Sequence, residues 1–302
     1  VVAIFLALAR VNDLESRPEY LRAIHNCEEL AEYLGTIENG QSFGELEGER
    51  GVGTFGGSED HTAILCARAG TLVQYAFCPV RLERSVPFPK DHVLVVATSG
   101  VAAEKTRAAR DRYNRLSTMV REILDRWQAT TGERHLSLAA AIDASRDAAD
   151  RIGEMLRAEA DASRGSDETS ARRSDAVARL ARFEQFVLES NRLIAAAADA
   201  LKHGDLGRLG PIVDQSQQAA EELLGNQIPE TRFLARSARE LGGVAASAFG
   251  AGFGGSVWAL VAEGDAGAFQ ARWKESYASS FPAAAQKAET LATRAGPGAI
   301  EA

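Results

Sequence analysis

The chain has 302 residues, 45% of them hydrophobic and 25% charged, with a formal net charge of -8 at pH 7. That balance suits a folded protein with a sizeable core, and the length points to two domains while also permitting one large one; the acidic charge argues against a general nucleic-acid or anionic-membrane binder, which would carry a basic face. Cys27, Cys66 and Cys78 are odd in number and lack C-x-x-C spacing, so they read as three buried, reduced thiols rather than a disulfide framework or a zinc site.

The opening run Val1 to Ala9 is far short of the roughly 20 residues a membrane span needs and has no basic stretch ahead of it. It predicts a buried helix. Because it starts on Val in mid-run with no capping residue, a preceding portion of chain is expected. Pro18 marks a first helical position, and Tyr20, Leu21, Ile24, Leu30 and Leu34 recur at spacings of three and four until Gly35 closes the helical region.

Residues 36–59 hold seven glycines and read as a loop. It leads into Gly51-Val52-Gly53-Thr54-Phe55-Gly56-Gly57-Ser58-Glu59-Asp60-His61, a stretch whose glycines permit positive φ and close backbone approach. Ser58, Glu59 and Asp60 sit where a helix would start, and a carboxylate is favoured there by free N–H groups and the macrodipole. On its own the stretch reads first as a surface turn capped by Asp60, and only the rest of the chain can move that reading.

Thr71 to Phe77 and Arg81 to Val86 predict two strands around Cys78-Pro79, and His92 to Thr98 predicts a strand buried on both faces. A domain boundary is placed near residues 87–91. A long helix should run from about Ala102 to Trp127. Residues 128–180 are rich in Ala, Arg, Asp and Ser, with Ala160 to Ser174 polar enough for a loop or frayed helix and the charge runs read as solvated faces. Further helices are expected around Phe183 to Ile194, over Leu206 to Leu224, and from Pro229 to Leu241.

Ala245 to Val261 reads as strand, glycine loop, strand, followed by a last helix over Ala266 to Tyr277. Gly250, Gly252 and Gly255 fit G-x-G-x-x-G, but a dinucleotide fingerprint needs a helix after the loop, and Ser256 to Val261 is β-like. The loop is thus a tight inter-strand turn or a backbone wall of a nucleotide pocket. Helices and strands mix without βαβ alternation, which predicts an α+β fold.

In their order and spacing, Gly56-Gly57-Ser58-Glu59-Asp60-His61, Thr98-Ser99-Gly100, Pro229-Glu230, Gly250 to Gly255 and Arg294 to Ala299 resemble galactokinases, members of the GHMP superfamily of small-molecule kinases. The resemblance implies a GHMP kinase-like α+β fold, with a remnant of an S5-like N-terminal domain over residues 1–88. A ferredoxin-like C-terminal domain with extra helices would cover residues 89–302. It also implies transfer of the ATP γ-phosphoryl group to a sugar hydroxyl with Mg²⁺, in the cytoplasm, with no membrane or nucleic-acid partner.

By match to the G-x-x-D segment, Asp60 corresponds to the catalytic aspartate and Gly57 to a sugar-contacting glycine. Tyr113, in Tyr113-Asn114-Arg115, corresponds to a tyrosine that approaches the sugar. Glu38, in Glu38-Asn39, corresponds to a Mg²⁺ ligand, and Gly250, Gly252, Gly254 and Gly255 to the nucleotide-pocket loop. His61 stands where Gln is common and reads as a neutral hydrogen-bonding histidine. Ser247, Phe249 and Arg232 depart from residues common in the family. The first sugar-binding motif and the Ser-rich phosphate loop would lie upstream of Val1, so this chain alone is expected to be weakly active or inactive. A non-catalytic sugar- or nucleotide-binding relative and a kinase for another small alcohol remain open alternatives, as do the sugar and the oligomeric state.

Overall fold

The computed structural model describes residues 1–49, 51, 55–102, 107–165 and 170–299. Val52, Gly53 and Thr54 of the first glycine stretch lie outside the described residues, as do residues 103–106 and 166–169. The chain divides into two units: Val1–Phe88 together with the segment from Arg294, and Pro89–Thr293.

The first unit contains α1 (Val2–Val11), α2 (Pro18–Ala23), α3 (Cys27–Asn39), α4 (Glu59–Cys66) and an antiparallel hairpin of β1 (Thr71–Phe77) and β2 (Val80–Pro87). Its core gathers Val2, Ile24, Leu30, Ala31, Leu34, Leu65 and Cys66. The hydrophobic run of α1 does not make a buried helix: Val2 and Ala9 are buried, whereas Ile4, Leu8 and Val11 are exposed. Only one stripe of a helix can face a core packed on one side. Nor does Gly35 end α3. The helix runs to Asn39 and stops at Gly40, which takes the left-handed conformation at φ 69°. The last residues follow the first unit, since Gly70 N–H donates to Ala295 O at 3.0 Å and Ala299 N–H to Ile64 O at 2.7 Å.

The second unit starts with β3 (His92–Thr98) and a helical stretch of α5 (Arg107–Thr131), α6 (Leu138–Asp143), α7 (Ala148–Gly165), α8 (Ser170–Val187), α9 (Ile194–Lys202), α10 (Leu206–Ala219) and α11 (Pro229–Glu240). β4 (Ala245–Phe249), β5 (Ser256–Ala262), α12 (Ala266–Ser280), α13 (Pro282–Ala285) and β6 (Thr290–Thr293) follow. π-helical segments at Leu188–Leu193 and Ala220–Leu224 continue α8 and α10. The region read as a loop or frayed helix at residues 160–174 is helical on both sides of residues 166–169.

The sheet is wholly antiparallel in the order β4-β5-β3-β6, which is the split βαβ arrangement of a ferredoxin-like α+β layer. β3 is not buried equally on both faces. Val93, Val95 and Ala97 alternate with half-buried neighbours, and with Val257, Ala259 and Val261 of β5 they bury one face against Leu234, Ala238, Phe269 and Trp273. β3 lies between β5 and β6 at the sheet centre, so its β-branched run reflects a central position with one dry face. Trp273 donates its indole N–H to Leu234 O at 3.2 Å and to Ser237 Oγ at 3.1 Å, which removes the cost of burying that polar atom.

The inserted helices build their own core from Ile123, Leu124, Trp127, Leu138, Ile142, Ile152, Leu156 and Phe183. Not all charges of this stretch are solvated. Arg179 is 8% exposed and lies 3.5 Å from carboxylate oxygens of both Glu122 and Glu159, because a buried guanidinium requires acidic partners.

Candidate functional site

In the first unit, α3 and α4 bring several of the sequence-selected residues together. Ser58 precedes α4 and is buried; its carbonyl accepts Thr62 N–H at 2.7 Å and Thr62 Oγ1 at 2.8 Å. Glu59 and Asp60 fill the first turn, both exposed. Although Glu59 is exposed, the protein packed around its carboxyl group, and then the neighbouring Asp60 charge, raise it from its ordinary value.

Gly35 explains the approach of the two helices: a Cβ there would stand 3.2 Å from Ser58 Cα. The glycine that looked like a helix terminator is a contact point instead. Glu38 consequently sits on the last turn of α3 rather than on an exposed loop, with its side chain only 23% exposed. Its Oε1 lies 3.4 Å from His61 Nε2, and His61 is buried with Nδ1 lacking a hydrogen-bond partner. The pairing of Glu38 with His61 was invisible in the sequence, because the two residues lie on separate helices with the glycine-rich stretch between them.

Asn39 anchors that stretch by donating from Nδ2 to Gly56 O at 2.7 Å, which leaves its buried Oδ1 without a partner. A half-buried carboxylate and an orphaned amide oxygen on adjacent residues are hard oxygen donors. They fit a Mg²⁺ ion, which prefers such ligands and keeps several waters. Gly57 has a packing reason of its own, since a Cβ on it would run into the Phe77 ring.

In the second unit, Gly250, Gly252, Gly254 and Gly255 all have positive φ, from 79° to 134°, and Phe253 joins them at 59°. This succession turns the chain from β4 back into β5 and explains the glycine content. Gly252 also admits Asn226: Phe253 N–H donates to Asn226 O at 2.6 Å, and a Cβ on Gly252 would strike that oxygen. Asn226 is 6% exposed and points Nδ2 toward Ala251 O at 3.4 Å. Two sequence motifs meet here. Ser99 N–H donates to Gly255 O at 2.8 Å and Gly255 N–H to Val101 O at 3.1 Å, so the Thr98-Ser99-Gly100 segment extends the ladder into the glycine loop. Tyr277 OH closes the arrangement on Ser99 O at 2.6 Å.

Gln217 supports β4 by accepting Ala248 N–H at 2.9 Å and Ser247 Oγ–H at 3.1 Å. The Arg112 guanidinium lies 4.8 Å over the Phe253 ring. Tyr113 is half-buried on α5, and its neighbour Arg115 is engaged by Glu122 at 2.5 Å and Asp175 at 3.0 Å. Pro229-Glu230 opens α11, with Thr231 Oγ1 capping Ile228 N–H at 3.2 Å. The supporting roles of Asn226 and Gln217 left no sequence signal, because a side chain that braces a distant loop has no local pattern.

The chain is similar to known kinases. Residues 197–279 match the family described as GHMP kinases C terminal. The galactokinase of Thermococcus kodakarensis is 34% identical over 101 residues, covering 33% of this chain and 29% of that protein. That of Pyrococcus furiosus is 35% identical over 80 residues, covering 26% and 23%. The chain thus spans less than a third of the length of these relatives. A crystal structure of Lactococcus lactis galactokinase complexed with galactose shares the fold at a TM-score of 0.66 and 22% identity, over 92% of this chain and 62% of that one. The ferredoxin-like sheet agrees with these likenesses: over residues 197–279 the chain is similar to the C-terminal domain of GHMP kinases, and in part of its length to galactokinases.

Proposed function

We propose that the protein carries out ATP-dependent phosphorylation of a monosaccharide hydroxyl, as a galactokinase-like kinase of the cytoplasm. In this reading the first unit is part of the N-terminal kinase domain and the second is the C-terminal domain. The observation that supports it most is the joined end of α3 and α4, which places Asp60 exposed in a helix's first turn and sets Glu38 against the next residue, His61.

Asp60 orients the acceptor hydroxyl and takes its proton as the sugar oxygen bonds to the γ-phosphorus and the bond to the ADP oxygen breaks. Gly57 and Tyr113 contact the sugar, and the loop of Gly250, Gly252, Gly254 and Gly255 forms a wall of the nucleotide pocket. Glu38 would hold Mg²⁺, whose charge offsets that of the phosphates when bound. His61 keeps the Glu38 carboxylate in place from the helix behind.

The test is phosphorylation of galactose and a panel of related sugars and small alcohols by the full-length protein with ATP. Asp60→Asn is expected to lower kcat by about 10²- to 10⁴-fold. Turnover unchanged by that substitution, or no turnover on any acceptor, overturns the reading. Sugar binding by calorimetry without turnover would instead indicate a non-catalytic relative, and turnover confined to another alcohol a kinase of different acceptor.

A further inference from the structure

The far end of the α3–α4 pair carries chemistry that phosphoryl transfer does not use. Cys27 and Glu28 are the first two residues of α3, and Cys66 is the last of α4. Because Glu38 and His61 meet at the opposite ends of the same helices, the pair runs antiparallel and the two thiols face each other across it. The Cys27 and Cys66 sulfurs and a Glu28 carboxylate oxygen all lie within 4.8 Å of one another. The Cys27 thiol already donates to Glu28 Oε2 at 3.2 Å.

The surroundings hold these donors in place. Asn26 caps α3 by accepting Glu29 N–H at 2.8 Å, which sets the turn bearing Cys27 and Glu28. Tyr75 donates its hydroxyl to Cys66 O at 3.1 Å. Cys66 is 4% exposed and sits in the core with Leu30, Leu34 and Leu65, while Cys27 and Glu28 are half-buried and leave a way in.

We propose that Cys27, Glu28 and Cys66 form a binding site for one thiophilic divalent cation of the zinc class, with water as the fourth ligand. Metal–sulfur bonds of about 2.3 Å and metal–oxygen bonds of about 2.1 Å bring tetrahedral donors to roughly 3.5–3.8 Å from one another, so the three side chains need to close by about an ångström at most. The charge balance is favourable. One divalent cation replaces two thiol protons, so the cluster keeps the single negative charge it has with Glu28 ionised, and no additional charge is buried. The soft sulfur donors select against Mg²⁺, which separates this site from the oxygen donors at Glu38 and Asn39. A bound ion clips the ends of α3 and α4 remote from Asp60 and thereby secures the helix pairing on which the Glu38–His61 contact depends.

The test uses the full chain, reduced and then freed of metal, titrated with Zn²⁺ and with Cd²⁺. One equivalent should bind, with a thiolate-to-cadmium absorption band and a raised Tm. Cys27→Ser and Glu28→Gln, both at half-buried positions, should each weaken binding by about tenfold or more, and Cys66→Ser should abolish the absorption band. Cys78→Ser, at an exposed thiol outside the cluster, should bind as the parent does. The proposal is overturned if no stoichiometric binding occurs, or if Cys27→Ser and Glu28→Gln bind unchanged while circular dichroism shows them folded. Dependence on Cys78, or a mass lower by two protons that maps to a Cys27–Cys66 disulfide in place of metal, likewise overturns it.

Discussion

The two glycine-rich stretches look alike as text and differ in what their glycines do. In the first stretch Gly51 and Gly57 are needed for close approach: Gly51 adjoins the end of α3 and Gly57 the Phe77 ring, where a Cβ would intrude. In the second unit the glycines of residues 250–255 are needed for handedness, with φ values no L-residue adopts without strain. A stretch built on close approach can yield when its neighbour is mobile. One built on handedness cannot, because the strain lies in the residue's own backbone.

The sharpest separation comes from Gly252 and Gly250. Gly252→Ala combines positive φ with a collision against the Asn226 backbone and should cost about 3 kcal/mol in denaturant unfolding. Gly250→Ala has open space around its Cβ and only the φ penalty, so about 1 kcal/mol is expected. Equal effects at the two positions would show that the collision with Asn226 contributes nothing.

Gly57→Ala tests the other half of the comparison. Phe77 is 63% exposed and can swing aside, so the loss of stability should stay below about 1 kcal/mol. If the Gly57 backbone also contacts the acceptor sugar, KM for that sugar rises while Tm barely moves. A fall in Tm as large as that of Gly252→Ala would mean that the first stretch is as unyielding as the second.

The smallest effect concerns the support behind the second loop. Glu189 accepts the Ser216 hydroxyl at 2.8 and 3.0 Å, next to Gln217, which braces β4. Burial raises the Glu189 carboxyl above its ordinary value, with the Ser216 hydroxyl opposing in part. The folded state therefore holds this proton more tightly than the unfolded chain, and stability declines as pH rises from the ordinary carboxylate value through the raised one. Glu189→Gln should remove that decline, as read from denaturation curves between acid and neutral pH. A decline that persists unaltered in the variant assigns it to other groups.

Much of the fold could be read locally. The strands at Thr71–Phe77 and His92–Thr98, the hairpin around Gly250–Gly255 and the helix opened by Pro229 all lie where period, turn chemistry and capping put them. β6 was missed because four residues, Thr290–Thr293, carry too little pattern to stand out, and pairing with β3 is what makes them a strand. Of the three thiols expected to be buried, Cys66 is buried, Cys27 is half-buried and Cys78 is exposed, since burial of a single residue at a helix start or in a hairpin turn depends on what packs over it. For the candidate site, the residue types of Asp60 and Glu38 were legible, but the helical setting of Glu38, its contact with His61 and the juxtaposition of Cys27 with Cys66 were not.

The sequence by itself determined the α+β character, the order of the elements and the positions of the two glycine stretches, because those follow from interactions among residues a few positions apart. Only the tertiary structure decided what each glycine is for, which charges are paired in the interior and which side chains of α3 and α4 face each other. Those outcomes depend on the close packing of segments far apart in the chain, where a neighbour's position rather than a residue's own propensity sets the cost of every atom.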